Sequence, residues 1–314
     1  MSALDLTSLP KRVKICEMGP RDGLQNESAV VPTADKVRYI DLLSVAGLPV
    51  IETTSFVRPS AIPQLTDAQE VMAQIVQRPG VTYVALTPNL RGLERARAAG
   101  LRAVAVFTAA SESFTARNIN MTIDESLATF SDVVRAARAA GMWVRAYVST
   151  AFGCPYEGAV PVASVVRVAG ALAEMGVDEL SIGDTIGVAT PKAVVEVAAA
   201  LQETMPIERL AMHFHDTRGT ALANVVAALQ MNVATFDSSS GGLGGCPYAP
   251  GATGNLATED LLYMLDGMGI ETGVSLERVR DASRFISGVL QRDVASRAYR
   301  ALEASAALTA ACTA

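Results

Sequence analysis

The sequence is poor in histidine and cysteine, and both shortages limit what the chain can do. His213 and His215 are the only histidines among 314 residues. The four cysteines are Cys16, Cys154, Cys246 and Cys312. They lie far apart and form no CxxC pair, which argues against a zinc knuckle and for reduced thiols.

Positive charge and long apolar runs are lacking as well. The chain has 26 Lys and Arg against 32 Asp and Glu, a net charge of −6, so no basic face for nucleic acid is expected. No apolar run of 18 residues is free of polar breaks, and the start, MSALDLTSLPKR, lacks the apolar core of a signal peptide. We therefore expect a cytoplasmic protein without a membrane partner. Since 50% of the residues are hydrophobic, the chain can bury a large core.

What is present is one repeated unit: a short apolar run, a loop, an Ala-rich helix and a small residue that ends it. The apolar runs predict eight strands, at about 13–18, 49–54, 81–86, 102–107, 143–149, 178–182, 209–214 and 232–237. Eight alternations with strands apolar on both faces predict an α/β fold, a (β/α)₈ TIM barrel. An open doubly wound sheet is the alternative, but Gly-Pro-Arg-Asp-Gly after strand one is not the phosphate loop it needs.

The residues that start and end the predicted helices support the same fold. The predicted stops are Gly47, Gly100, Gly141, Gly176 and Asn232, and the predicted starts are Thr33, Thr122 with Glu125, and Thr190 with Pro191. We expect one catalytic domain over residues 1–314, with a barrel at about 13–275 and additional C-terminal helices from about 276 that fray near Ala304.

His213 and His215 stand at the end of the seventh predicted strand. Residues i and i+2 of a strand point to the same face, so the two imidazoles project side by side. With oxygen ligands, such a pair suits a divalent metal. The alternative is two polar residues on the rim of a strand without a metal, but a paired His-x-His followed by Asp216 favours ligands.

Polar residues also follow other strands, at the barrel face where TIM-barrel chemistry lies. They are Glu17, Arg21, Asp22 and Gln25 after strand one, Glu52 in strand two, Tyr147 in strand five, Asp184 in strand six and Asp237 in strand eight. A cleft rich in carboxylates needs a cation, which again predicts a metal. The Gly-rich stretch 241–255 is expected to form a loop over the barrel mouth, with Cys246 at its tip and Asn255 near a helix capped by Thr258.

The segments VKICEMGPRDGLQNE, IETTSF, SIGDTIG, HFHDT and GGLGGCPYAPGATGNLATEDLLYML resemble the 3-hydroxy-3-methylglutaryl-CoA lyase family over nearly the whole chain. The resemblance implies Asp22, His213, His215 and Asn255 as metal ligands and a divalent Mg²⁺ or Mn²⁺. It implies catalytic roles for Arg21, Glu52, Asp184, His213 and Cys246, and substrate contacts for Glu17, Gln25 and Tyr147.

The resemblance also implies cleavage of 3-hydroxy-3-methylglutaryl-CoA, or a related branched 3-hydroxyacyl-CoA, to acetyl-CoA and acetoacetate or a related 3-oxo acid. An acyl-CoA substrate, a homo-oligomer with a dimer as the expected form, and a place in leucine degradation follow from it. Phe214 and Arg218 depart from the family pattern and bear on acyl-chain preference. Two alternatives are a Claisen-type acyl-CoA synthase, for whose regulatory domain the chain is short, and a non-catalytic CoA- or metal-binding barrel.

Overall fold

Eight parallel strands close into a barrel, so the predicted TIM barrel is confirmed. A computed structural model describes residues 8–58, 60–245 and 254–313. From residue 309 onward the description covers the backbone alone. The strands are β1 (Lys14–Glu17), β2 (Val50–Ser55), β3 (Thr82–Leu86), β4 (Ala103–Ala109), β5 (Trp143–Ser149), β6 (Glu179–Asp184), β7 (Leu210–Phe214) and β8 (Thr235–Ser238). Pairing of β1 with both β2 and β8 closes the sheet.

Helices follow the strands around the barrel. They are α1 (Thr33–Val45), α2 (Ala68–Gln74), α3 (Leu90–Ala98), α4 (Glu112–Ile119), α5 (Ile123–Ala139), α6 (Val162–Glu174), α7 (Pro191–Gln202), α8 (Ala221–Gln230) and α9 (Thr258–Gly267). Two more lie beyond them, α10 (Leu276–Leu290), which packs on α1, and α11 (Arg297–Thr313). In the described ranges no helix is long and apolar enough to cross a membrane.

The predicted helix stops all have positive φ, from 64° at Asn232 to 91° at Gly47. This left-handed conformation ends a helix at little cost when the residue is Gly or Asn. The predicted capping box is also present, because Thr122 accepts from the backbone N–H of Glu125 and the Glu125 carboxylate accepts from that of Thr122.

The helix start predicted at Thr33 is confirmed, although the Thr33 hydroxyl donates to Asp67 and makes no cap. Two other local predictions were wrong. Thr258 does not cap its helix but begins it, because its hydroxyl donates to the distant carboxylate of Glu17. The backbone of α11 is helical through Thr313 rather than fraying near Ala304. Alanine, abundant in this segment, has the highest helix propensity.

Candidate active site

A π-helical turn, Gly19–Gly23, follows β1 and carries Arg21 and Asp22 to the barrel mouth. The backbone N–H groups of Asp22 and Gly23 both donate to the Met18 carbonyl, which widens the turn. Gly19 is required here because a Cβ on it would lie 2.3 Å from the Tyr39 hydroxyl oxygen. Single π-turns of this kind are frequent at functional sites.

Asp22, His213 and His215 converge across the mouth. Their ligand atoms lie within 4.8 Å of one another, and the two imidazole centroids are 5.2 Å apart. The structure therefore brings together three of the four metal ligands that the family resemblance implied. His213 ends up beside the cavity because β7 places it on the barrel's inner side, and His215 follows one residue after the strand ends.

Asn255, the fourth implied ligand, lies against the same group. Its amide nitrogen donates to Asp22 Oδ2 at 2.8 Å and to the Leu243 carbonyl at 3.0 Å. Its Oδ1 and His215 Nδ1 are buried without a hydrogen-bond partner among the described residues. Two unpartnered buried acceptors beside a carboxylate suit a divalent cation, so the residues fit the metal that the family implies. A Cβ on Gly244, at φ +108°, would displace the Asn255 amide.

The electrostatics of the three ligands differ. Burial opposes ionisation of Asp22, but the Arg21 charge outweighs it and lowers the pKa of that carboxyl. Burial also opposes protonation of His213, but its hydrogen bond to Asp237 outweighs that effect and raises its pKa. At His215, burial and the His213 charge outweigh the opposing effects of Asp22 and Asn255 and lower the pKa to about 4. Two of the groups are therefore held in the deprotonated form that a metal requires.

Arg21 is buried, with 8% of its surface exposed. Its Nε donates to Glu52 Oε2 at 2.7 Å and its Nη1 to Asp22 Oδ1 at 2.6 Å, and its guanidinium carbon lies 5.8 Å from the centre of the Tyr147 ring. Glu52 therefore holds the guanidinium of Arg21 in place. Burial raises the pKa of Glu52, and the opposing effect of the Arg21 charge is smaller.

Asp184 and Glu17 are buried carboxyls that bind backbone N–H groups. Asp184 accepts from Val188 and Ala189 at 2.8 and 3.0 Å, and burial raises its pKa to about 6. Glu17 accepts from the backbone of Gly19 and Ser240, and burial raises its pKa to about 7. Glu17 thus fixes the segment that leads into the Gly-rich loop.

A cavity of about 740 Å³ opens at this face. Its polar side contains Arg21, Asp22, Gln25, Tyr147, His213 and His215. Its apolar side contains Leu86, Phe107, Phe114, Ile119, Met121 and Phe130. Gly245 also lines it, whereas the next residue, Cys246, lies outside the described ranges. Of the family departures, Phe214 packs on Phe152 in the outer core and does not line this cavity.

Three site residues were given no role from the sequence. Asp237 lies 3.1 Å from His213 Nδ1, Ser181 donates to the same carboxylate, and Arg145 pairs with it at 2.6 Å. One signal was available, namely an arginine inside the apolar strand MWVRAYV. A charge within a buried strand is almost always paired.

Comparison with known proteins decides the family. The HMGL-like family model matches residues 12–286. The chain belongs to the HMGL-like family. It is 54% identical to the mitochondrial hydroxymethylglutaryl-CoA lyase of Bos taurus, over 96% of this chain and 93% of that one.

Two bacterial proteins are nearly as similar. A Pseudomonas aeruginosa protein named 3-hydroxy-3-isohexenylglutaryl-CoA/hydroxy-methylglutaryl-CoA lyase is 53% identical, over 95% of this chain and all of that one. The crystal structure of the Bacillus subtilis HMG-CoA lyase matches with a TM-score of 0.93 and 50% identity, over 94% of this chain and 99% of that one. The resemblance seen in the motifs is confirmed, and with it the assignment of this HMGL-like chain as a carbon–carbon lyase.

Proposed function

We propose that this lyase cleaves 3-hydroxy-3-methylglutaryl-CoA between C2 and C3, giving acetyl-CoA and acetoacetate. The observation that carries the proposal is the convergence of Asp22, His213 and His215 beside the buried cation Arg21, all on one cavity. The set supplies ligands for a hydroxyl-binding metal and a cation for the thioester oxygen. A cavity without reactive polar groups would suit a non-catalytic barrel instead.

The proposed metal is Mg²⁺ or Mn²⁺, held by Asp22, His213, His215 and Asn255. Two oxygen and two nitrogen donors leave positions for substrate oxygens. When bound, a divalent cation lowers the pKa of the substrate hydroxyl and fixes its orientation. The contribution of the chain is to present these donors in one place and to keep His215 neutral.

Asp184 is the proposed base that removes the proton from the C3 hydroxyl. Its pKa of about 6 suits proton transfer near neutral pH, and its neighbours Gly183 and Thr185 line the cavity. His213 is the alternative. However, its Nδ1 contacts Asp237, so ligation through Nε2 would leave no nitrogen free.

Once the hydroxyl proton has gone to Asp184, the oxygen forms the carbonyl of acetoacetate and the C2–C3 electron pair moves to the thioester enolate. Arg21 would stabilise that negative charge, with Glu52 holding the guanidinium in place. Cys246 is the proposed acid that then delivers a proton to C2 and completes acetyl-CoA. This role for Cys246 rests on the family resemblance, and the preceding residue, Gly245, lines the cavity. Glu17, Gln25 and Tyr147 would shape the site around the substrate.

The direct test is to incubate the purified protein with a panel of branched 3-hydroxyacyl-CoAs and to detect the acetyl-CoA released. We expect turnover of 3-hydroxy-3-methylglutaryl-CoA that is lost on chelation and restored by Mg²⁺ or Mn²⁺. Full activity of exhaustively metal-free protein would contradict the metal site. Alkylation of Cys246 should also inactivate the enzyme, with bound substrate slowing the reaction. Wild-type turnover of Cys246→Ser would leave the thiol without a catalytic role.

A second candidate substrate carries a longer branch at C3. The apolar side of the cavity, from Leu86 to Phe130, offers more apolar surface than a methyl group can cover. The name of the Pseudomonas aeruginosa relative includes an isohexenyl substrate, which supports the same proposal. The substrate panel should therefore include branches from methyl to isohexenyl.

The remaining features are proposed from the family and the packing. The barrel and the C-terminal helices would work as one catalytic domain, because Ser283 of α10 donates to the buried Glu259 of α9. We further propose a homodimer that acts in the cytoplasm in leucine degradation. Sedimentation of the purified protein tests the dimer.

A further inference from the structure

His213 and His215 are presented in different ways. His213 Nδ1 lies 3.1 Å from Asp237 Oδ2, whereas His215 Nδ1 has no hydrogen-bond partner among the described residues. The His213 ring is 13% exposed, and it faces the cavity. With Nδ1 occupied on the Asp237 side, the ring has only Nε2 to offer to a metal.

Asp237 is itself held on both oxygens. Its Oδ1 pairs with Arg145 Nη2 at 2.6 Å, and its Oδ2 accepts from the Ser181 hydroxyl at 2.8 Å. The side chain has no exposed surface. Its carboxylate therefore cannot turn without breaking a buried ion pair.

The ion pair continues toward the floor of the barrel. Arg145 Nε lies 2.8 Å from Glu179 Oε1, and Glu179 also pairs with Lys14 at the start of β1. Positive and negative side chains alternate along this series of ion pairs, from Lys14 through Glu179 and Arg145 to Asp237. The side chains of Arg145 and Glu179 are at most 3% exposed. Such an arrangement fixes orientation, since Arg145 and Glu179 each lie between two groups of opposite charge.

We propose that Asp237 is a positioning residue that fixes His213 as the Nδ1–H tautomer and directs Nε2 toward the metal, with Arg145 and Glu179 holding Asp237 in place. The inference rests on the proposed metal site. Carboxylate–histidine–metal arrangements fix ring orientation, and losing the carboxylate typically lowers metal affinity about 10- to 100-fold.

Asp237→Asn is the informative variant because it changes one atom. Arg145 donates to residue 237, so the asparagine oxygen faces Arg145 and its NH₂ group faces His213 Nδ1. Nδ1 must then accept a hydrogen bond from this NH₂ group. The ring proton therefore moves to Nε2, the atom needed for the metal. An Asp-to-Asn change beside a catalytic histidine produces this wrong-tautomer effect in serine proteases.

The first measurement is Mn²⁺ affinity without substrate, followed by electron paramagnetic resonance. We expect Asp237→Asn to bind about 10- to 100-fold more weakly. Ser44→Ala is the control for loss of a buried polar group, because Ser44 is a buried serine of α1 that lies outside the site, and the Mn²⁺ affinity of this variant should stay close to wild type. Equal loss in both variants, or no loss in Asp237→Asn, would overturn the proposal.

The second measurement needs no variant. Because the chain has only two histidines, protein labelled with ¹⁵N-histidine shows only two imidazoles. In the metal-free wild type at alkaline pH, we expect one ring to be the Nδ1–H tautomer, and His215→Asn identifies it as His213. An Nε2–H tautomer at His213 would refute the inference even if Asp237→Asn fails to fold. Failure of the proposed metal site would differ, because wild-type protein itself would not bind Mn²⁺.

Discussion

The inside of the barrel has two unlike regions, which we call the apolar half, on β3 and β4, and the charged half, on β5 to β8. On β3 and β4 the inward residues are apolar: Val84, Leu86, Ala103, Ala105 and Phe107. On β5 to β8 they include Arg145, Glu179, Ser181, His213 and Asp237, joined by ion pairs and hydrogen bonds. The apolar half therefore contributes packing surface without charge. The charged half contains side chains whose orientation depends on a neighbouring partner.

The two halves constrain function differently. In the charged half, each group is oriented by the next, so one substitution affects the whole chain of contacts. In the apolar half, volume alone matters, and swaps that conserve volume are tolerated. We infer that the charged half fixes the reaction chemistry while the apolar half is free to vary substrate size.

Arg145→Met tests this difference most strongly. Removing Arg145 leaves Asp237 and Glu179 buried without their shared cation, and breaking a buried pair costs about 3–5 kcal/mol. Leu86→Met, the same new residue in the apolar half, should cost less than about 1.5 kcal/mol. Urea unfolding of both variants at equal metal concentration measures the two free energies.

Neutralising the partners sharpens the result. In Arg145→Met/Glu179→Gln/Asp237→Asn no buried charge of the group is unpaired, so part of the stability should return. Equal losses for Arg145→Met and Leu86→Met would show that the charged half tolerates substitution as well as the apolar half.

Arg21→Met should reduce turnover by at least about a hundredfold, with a much smaller change in substrate affinity. Arg21 would bind charge that develops in the transition state, and one such donor contributes about 3–4 kcal/mol. Steady-state kinetics on folded, metal-loaded protein measures the separation of kcat from KM.

The control for Arg21 is Arg21→Met/Glu52→Gln. The single variant also leaves Glu52 buried without its cation, which destabilises the fold. The double variant should recover stability but not rate. If the rate returns as well, Arg21 acts through Glu52 and not on the substrate.

The pH dependence of stability should separate carboxyls that have a cation from those that do not. Burial would raise the pKa of Asp237, but Arg145 outweighs it and lowers that pKa to about 2, whereas burial raises the pKa of Glu259 to about 7. A raised carboxyl pKa means that the folded state binds the extra proton. Its stabilisation is complete below the unfolded pKa, near 4.5, and is lost as pH rises through 7.

The free energy of unfolding should therefore fall by about 1–3 kcal/mol between about pH 5 and pH 8 through Glu259. Glu259→Gln remains neutral and keeps an acceptor for Gly241, so its unfolding curve should be flatter in this range. Parallel pH slopes for the two proteins would contradict the expected proton uptake.

The sequence predicted the barrel because strand and helix periodicity is local, and it placed all eight strands correctly. It predicted a metal site at His213 and His215 because the ends of parallel strands meet at one face, and the family resemblance added Asp22 to the ligands. It did not predict the partners of buried charges. Arg145 and Asp237 are 92 residues apart, and only strand register and barrel closure place them in contact.

Thr258 illustrates the same limit. A threonine before a helix predicts an N-cap, but its hydroxyl binds Glu17, which is 241 residues away in the chain. The buried Glu17 carboxylate requires a hydrogen-bond donor, and this requirement outweighs the local preference of threonine for capping. Long-range polar satisfaction of this kind leaves little trace in a single sequence.

Phe107 provides the smallest and most specific test of the apolar half. Its ring lines the cavity and lies 6.3 Å from that of Phe130, so Phe107→Trp would narrow this side without adding charge. We expect kcat/KM for a substrate with a longer C3 branch to fall about tenfold relative to the methyl substrate, the size typical of a methylene-scale change in an apolar pocket.

The ratio of the two substrates is the useful measurement, because any general damage to folding or metal binding affects both alike. A changed ratio places the branch against Phe107. An unchanged ratio with lower activity on both would mean that Phe107 contacts the CoA arm they share. In that case the apolar half would serve binding of the common arm rather than the choice of branch.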